Sequence, residues 1–425
     1  MTRYQPILAL CLCLLLCACS LTESFVDPYI QDASIPLAER LEASGGVPVQ
    51  VPYPETYYDA KAFLERYVDL ISSAEDYILV TTFLGSASEG LEELYAALAE
   101  KAREGVDVYM VMDGISSFDM TATAQYMYPL YFLRESGVHL IEYGSLSGMM
   151  LIHPTSLLIR EHRKMVVVDG RWCVLGGMNM NYISLGADNR DLQRDSMYVF
   201  DSGELAGALV DQFVTIWNEC SVDHISADDF PTASGLSHGS TDAWLFNQGP
   251  GSDASVAGLY ASLFASAKEE IVILPYLAFF NDDMYACLEA AMDRGVSVKI
   301  YLPVDSREYV QGALFYDYHR LVEAGFEVYT DYDGDDDYLP LLHEKLCVVD
   351  GRYVVIGSSN FNFRSMGLSY EIALVLDSPS LADASLRHID QDIAVTMQPL
   401  DLETALALKE EKGNLFSYLF SYYGG

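Results

Sequence analysis

The stretch HRKMVVVDGRWCVLGGMNMN, His162–Asn181, is answered 181 residues later by HEKLCVVDGRYVVIGSSNFN, His343–Asn362. Eleven of the twenty positions are identical without a gap. A self-match of that quality makes the chain one unit written twice. The match extends upstream. Arg103–Asp113 (REGVDVYMVMD) corresponds loosely to Arg294–Asp305 (RGVSVKIYLPVD), and Leu133–Val138 to Leu321–Phe326. Apolar spacing and helix-ending glycines predict strand, helix, strand, helix and strand in each half, followed by a hairpin. The expected elements are 77–83, 91–104, 106–112, 124–136 and 138–143, then 271–275, 283–294, 296–302, 308–324 and 326–331. Alternating strands and helices predict two α/β/α sandwich halves with mostly parallel sheets.

Within each motif, an Asp-Gly pair between two apolar runs predicts a hairpin turn of the primed type. His162 and Lys164, like His343 and Lys345, are two residues apart, so on a strand they share a face. Asp169 and Asp350 have the opposite parity and sit at the turn, which makes them structural. Asn179 and Asn360 follow the second strand of each hairpin as amide donors. Each half therefore offers an imidazole, an ammonium and an amide. Brought together, two such sets suit a phosphodiester: the Lys and Asn side chains hold its oxygens. One His attacks phosphorus and the other protonates the leaving alcohol. Two ammonium groups make a metal unnecessary, and no cofactor is expected. Glu371 and Asp195 occupy matching places after the second and first motifs. They are expected to hydrogen-bond and orient His343 and His162 respectively.

The chain has 425 residues, 51% of them hydrophobic, which excludes a disordered or fibrous class. Its 24 basic and 62 acidic residues leave a net charge of −38. Such a surface repels phosphate backbones and argues against a nucleic-acid partner. No apolar run of about 18 residues follows the N-terminus, which excludes a polytopic membrane protein. Met1–Ser20 carries Arg3, an apolar run Ile7–Leu16 and the tetrad Leu16-Cys17-Ala18-Cys19. It reads as an export signal and resembles a bacterial lipoprotein signal, which implies cleavage before Cys19 and lipidation of that thiol. The expected organisation is signal peptide 1–18, tether 19–50, first half 51–220, linker 221–241, second half 242–400 and aromatic tail 401–425. The tail is expected to pack on the body, with insertion into a bilayer interface as the alternative. Cys173 and Cys347 read as buried thiols rather than a disulfide framework. The acidic run Asp331–Asp337 reads as a solvated loop. The aromatic clusters Tyr126, Tyr128, Tyr131, Phe132 and Tyr309, Phe315, Tyr316, Tyr318 read as core. The apolar stretch Met149–Leu158 is a candidate for lipid contact.

The doubled HxKxxxxD motif, each followed by GGxN or GSxN, resembles the phospholipase D superfamily over about residues 50–400. Arg160 before His162, Pro275-Tyr276, and Asn360-Phe-x-x-Arg364-Ser365 are similar to bacterial cardiolipin synthases. Leu158 and Glu344 depart from that pattern, where Asn and Ala are usual. The resemblance implies a duplicated phospholipase D fold around one active site. It further implies a phosphohistidine intermediate, with His162 as nucleophile and His343 as general acid, and a metal-independent phosphatidyltransferase. Phosphatidylglycerol is the expected substrate, with phosphatidylethanolamine as alternative co-substrate. A phospholipase D hydrolase, a phosphodiesterase on nucleic acid and a non-catalytic surface protein are the competing readings. The expected location is the bacterial cell envelope, lipid-anchored and facing the periplasm or exterior.

Overall fold

The computed structural model describes residues 26–86, 90–114, 131–144, 158–185, 193–234, 236, 239–304, 307–332 and 340–424. The signal peptide with Cys19 lies outside these residues. So do Tyr126, Tyr128, nearly all of Met149–Leu158 and most of Asp331–Asp337.

The strands in chain order are β1 (Val47–Val51), β2 (Glu55–Tyr57), β3 (Tyr77–Thr82), β4 (Asp107–Asp113), β5 (His139–Tyr143), β6 (Met165–Val168), β7 (Trp172–Gly176) and β8 (Met197–Asp201) in the first half of the chain. The second half adds β9 (Thr241–Gln248), β10 (Glu270–Pro275), β11 (Ser297–Leu302), β12 (Glu327–Thr330), β13 (Lys345–Val349), β14 (Tyr353–Gly357), β15 (Glu371–Asp377) and β16 (Gln398–Pro399). Two sheets result, ordered β2-β8-β7-β6-β3-β4-β5 and β1-β9-β15-β14-β13-β10-β11-β12-β16. The predicted elements agree with those observed to within a residue or two; of 124–136, residues 131–135 are helical.

The duplicated α/β fold is as expected, but the strand directions are not mostly parallel. Only β3–β4–β5 and β10–β11–β12 run parallel, because helical crossovers join them. Every other pairing is antiparallel. The motif hairpins β6–β7 and β13–β14 impose this, since a two-residue turn reverses the chain.

The strands alternate faces with period two. Leu79 and Val167, with Leu346 and Val348, point into a shared central core that also takes in the helix Gly203–Cys220. Ile78 and Val166 face an outer core of the first half, and Cys347 and Val349 one of the second. Phe315 and Tyr318 are core residues, whereas Tyr131 and Tyr309 are exposed. Cys173, Cys287 and Cys347 are buried free thiols.

Residues 19–50 are not a tether over their described part. Val26, Ile30 and Leu41 belong to the second half's outer core. Buried Arg40 donates to the carbonyls of Ile30, Ile35 and Ser262. β1 then pairs antiparallel with β9 at the sheet edge. An edge position tolerates Pro48, which lacks an N–H. The five-residue strand VPVQV is too short to announce itself; only its partner supplies the other half of the ladder. The tail forms helices Leu402–Glu411 and Leu415–Gly424, which pack on the helix Glu308–Glu323.

Asp169 and Asp350 are structural, as read. Asp169 and Gly170 have φ of 52° and 60°, and Asp350 and Gly351 have 53° and 56°. Positive φ at both central residues is the type I′ requirement. Each carboxylate then accepts from the backbone leading into the neighbouring strand. Asp169 takes the N–H groups of Glu75, Asp76 and Tyr77 at 2.8–2.9 Å. Asp350 takes those of Lys268, Glu269 and Glu270 at 2.8–3.1 Å. Either Asp→Ala substitution removes a charged acceptor and places Ala at positive φ. Urea denaturation should show a loss of about 2–4 kcal/mol for each, with Asp→Asn costing less because Asn tolerates that backbone.

Candidate active site

Each motif histidine stands just before the first strand of its hairpin, and a backbone bridge fixes it there. The His162 N–H donates to the Tyr370 carbonyl at 3.0 Å, and the Tyr370 N–H to the Arg160 carbonyl at 3.0 Å. In the other half the His343 N–H donates to the Arg194 carbonyl and the Arg194 N–H to the Leu341 carbonyl, both at 2.8 Å. Tyr370 and Arg194 are the residues immediately before Glu371 and Asp195. Each histidine is thereby stitched to the segment that delivers the other half's carboxylate.

The carboxylates therefore cross over. His162 Nδ1 donates to Glu371 Oε2 at 2.9 Å, and His343 Nδ1 to Asp195 Oδ2 at 2.5 Å. The sequence expectation placed both carboxylates correctly as histidine orienters but paired them within halves. The correction has a plain cause: β15 starts beside the first half's motif, and β8 beside the second half's. With Nδ1 of His162 committed to Glu371, its Nε2 carries the lone pair, whereas the His343 ring also has Lys345 Nζ 2.8 Å from Nδ1 and 3.2 Å from Nε2.

His162, Lys164, His343, Lys345, Asp195 and Glu371 are all buried. Lys164 Nζ donates to the His162 carbonyl at 2.6 Å, and Lys345 Nζ to the His343 carbonyl. Lys345 Nζ also lies 3.9 Å from Asp195 Oδ2. Burial pulls His162 down to about 3 and His343 to about 4, against the pull of their carboxylates. Burial lowers Lys345 to about 8; burial and the facing Lys345 charge hold Lys164 well below the usual lysine range. Burial by itself would raise Glu371, but His162, Lys164 and the Ser358 hydroxyl outweigh it and hold it at about 2. The Lys345 and Asp195 charges act on Lys164, and Lys164 acts on His343, so the two sets share one site.

The second hairpin strands floor that site, and the halves differ there. A Cβ on Gly177 would stand 2.2 Å from Asp195 Oδ1, so only glycine admits the shorter carboxylate. The matching Ser358 donates its hydroxyl to Glu371 Oε2 at 2.5 Å. Asn179 and Asn360 are buried, and the Asn179 side-chain Oδ1 accepts from the Leu84 N–H at 3.4 Å. Among the described residues neither asparagine hydrogen-bonds the His–Lys sets. Among the described residues Asn360 Oδ1, Glu371 Oε1 and Arg364 Nε lack a hydrogen-bond partner, as a site built for a polar occupant would.

Phe83, Ser358 and the electrostatic part of Arg364 went unread in the sequence. Phe83 meets the His162 ring edge-on at 4.6 Å, and Tyr276 meets His343 at 4.4 Å. Each also lies under its lysine, at 5.1 Å. Their shared place, one residue past β3 and β10, was a legible signal. Arg364 donates to the Gly424 carbonyl and adds positive charge beside His162.

Residues 67–217 and 260–393 match the family described as cardiolipin synthase, PLD-like domain. The chain belongs to this family. It is 26% identical to the cardiolipin synthase of Alkalihalophilus pseudofirmus over 318 residues, covering 74% of this chain and 60% of that relative. It is 24% identical to cardiolipin synthase 1 of Bacillus cereus over 374 residues, covering 85% of this chain and 71% of the relative. The phosphatidylserine synthase structure from Haemophilus influenzae superposes with a TM-score of 0.68 at 15% identity, over 88% of this chain and 93% of that one. The last likeness is one of fold alone.

Two imidazoles held neutral make the fold acid-sensitive. Unfolding near pH 5.5 should take up almost two protons through His162 and His343, since free histidine titrates near 6.5. Where the unfolded chain binds more protons, stability rises with pH. It should therefore fall by about 2–3 kcal/mol per unit from pH 6 to pH 5. Urea titrations at pH 7, 6 and 5 read this slope, and the variant His162→Asn/His343→Asn should flatten it.

Proposed function

We propose that this chain is a phosphatidyltransferase of cardiolipin synthase type, working through a phosphohistidine. One observation carries the reading: two histidines, each with Nδ1 held by the opposite half's carboxylate, face one buried site with two lysines and an arginine.

His162 Nε2 attacks the phosphorus of phosphatidylglycerol, and the bond to the departing glycerol oxygen breaks. His343 gives that oxygen a proton. The neutral His343 then takes a proton from the hydroxyl of a second phosphatidylglycerol. That oxygen attacks the phosphohistidine, releasing His162 and forming cardiolipin. Lys164, Lys345 and Arg364 hold the non-bridging oxygens as charge develops. Burial disfavours the His343 cation. A bound phosphodiester brings a negative charge that favours imidazolium. Substrate binding at pH 7 is thus coupled to uptake of about one proton.

We also propose a lipid anchor at Cys19 in the cell envelope, supported by the tetrad Leu16–Cys19. A dual acyl anchor suits a bilayer substrate.

The test presents the chain from Ser20 onward to phosphatidylglycerol vesicles, with products read by lipid mass spectrometry. Cardiolipin is expected, falling about 10³-fold or more in His162→Ala and His343→Ala. Phosphatidic acid alone would replace this reading with hydrolysis. Neither product, with phosphatidylethanolamine also supplied, would overturn it. Both steps draw on His343, so in His343→Asn an acid-labile adduct on His162 should accumulate only with a p-nitrophenyl phosphodiester, whose leaving group needs no proton.

A further inference from the structure

Glu344 directly follows His343 and is fully buried, yet neither carboxylate oxygen accepts a hydrogen bond among the described residues. The same repeat position in the first half holds Arg163, also buried but well supplied. Its guanidinium donates to Glu161 at 2.5–2.8 Å and to Asn247 at 2.7 Å. A buried carboxylate without a counter-charge is strongly unfavourable. Among the described residues the basic group within 4 Å of Glu344 is His388, whose Nε2 lies 3.3 Å from Oε1.

His388 ends the helix Pro379–His388 and reaches in from the protein's edge. Its Nδ1 lies 2.9 Å from Asp392 Oδ2, and that aspartate is 66% exposed. The ring stacks on Tyr58 of the first half, with centroids 3.5 Å apart. The Tyr58, Tyr198 and Ser385 hydroxyls gather nearby, each outside good hydrogen-bonding geometry. A cavity of about 230 Å³ opens here, lined by Tyr58, Asp59, Arg194, Asp195, His388 and Asp392. Asp195 is the carboxylate that holds His343. One small cavity therefore touches both His388 and the orienter of a motif histidine.

We infer that Glu344 and His388 are a positioning pair for the second His–Lys set: the His388 imidazolium offsets the buried Glu344 carboxylate and so sets how tightly His343 and Lys345 hold their protons. The inference rests on reading His343 as proton donor and acceptor. The groups facing His388 are Asp392 on its own stretch, Glu344 before β13, Tyr58 and Asp59 from the first half, and Arg194 and Asp195 across the cavity. Arg194 is itself committed to Asp331. Burial lowers the His388 proton affinity, but Glu344 and Asp392 more than reverse that. The Glu344 charge also raises Lys345 and Tyr58. Removing His388 leaves that charge uncompensated, so His343 and Lys345 should hold their protons more tightly. Removing Glu344 should do the reverse.

The test uses the full chain with ¹³C-labelled histidine, titrated by NMR, as wild type, His388→Gln, Glu344→Gln and the double variant. Hydrolysis of bis(p-nitrophenyl) phosphate is followed against pH in parallel. Glu344→Gln should lower the His388 midpoint by about one unit. It should move the alkaline limb of kcat to lower pH by about half a unit or more. His388→Gln should move that limb to higher pH, and the double variant should return it towards wild type. A His388 midpoint unmoved by Glu344→Gln overturns the pairing. A fall in kcat with the limb and the His343 titration unmoved means a merely structural role and overturns the link to the site. Should the wild type turn over neither lipid nor diester, the functional reading fails on its own terms. The His343 and His388 titrations then decide this inference alone, supporting it if coupled and overturning it if not. His388→Gln, at the cavity wall, carries the test should Glu344→Gln not fold.

Discussion

Burying Lys164, Lys345 and Arg364 in one site is the constraint on which the rest of the structure depends. Cations out of water demand nearby anions and hydrogen-bond acceptors. The fold meets that demand across the pseudo-symmetric join: Glu371 of the second half serves His162, and Asp195 of the first serves His343. Neither half can complete a site by itself. The backbone bridges at Tyr370 and Arg194 hold each carboxylate to the facing motif. The shared apolar core between the sheets keeps those bridges dry. Packing, pairing and chemistry are thus the same requirement seen at three scales.

Duplication kept the architecture and let the details diverge. Where the first half has Gly177 against the shorter Asp195, the second has Ser358 bonded to the longer Glu371. At the repeat position after each histidine, the first half carries Arg163 and the second Glu344, one neutralised locally and the other from the protein's edge. These differences give the two imidazoles different surroundings.

Much of this was legible because the signals are local. Alternating apolar residues mark β3, β4, β10 and β11 whatever surrounds them. The Asp-Gly turns demand positive φ wherever they occur. His162 with Lys164, and His343 with Lys345, declare themselves by spacing and by being repeated. Phe83 was missed although Tyr276 occupies its matching place, since one aromatic at a strand end looks like any other until its neighbour is known. Residues 26–51 were misjudged because a short edge strand gains its ladder from a partner about two hundred residues away.

By itself the sequence determined that the chain is doubled, which elements each half contains, and which side chains recur in both halves. Period, turn chemistry and identity are properties of neighbours along the chain, so they survive without a fold. Only the tertiary structure decided that the carboxylates cross between halves, that the sheets are mixed in direction, and that Glu344 looks to His388. Each of those depends on which surfaces meet, and that is set by burying the apolar faces of both sheets together. A linear pattern specifies that such burial must happen, but not which distant residues it brings side by side.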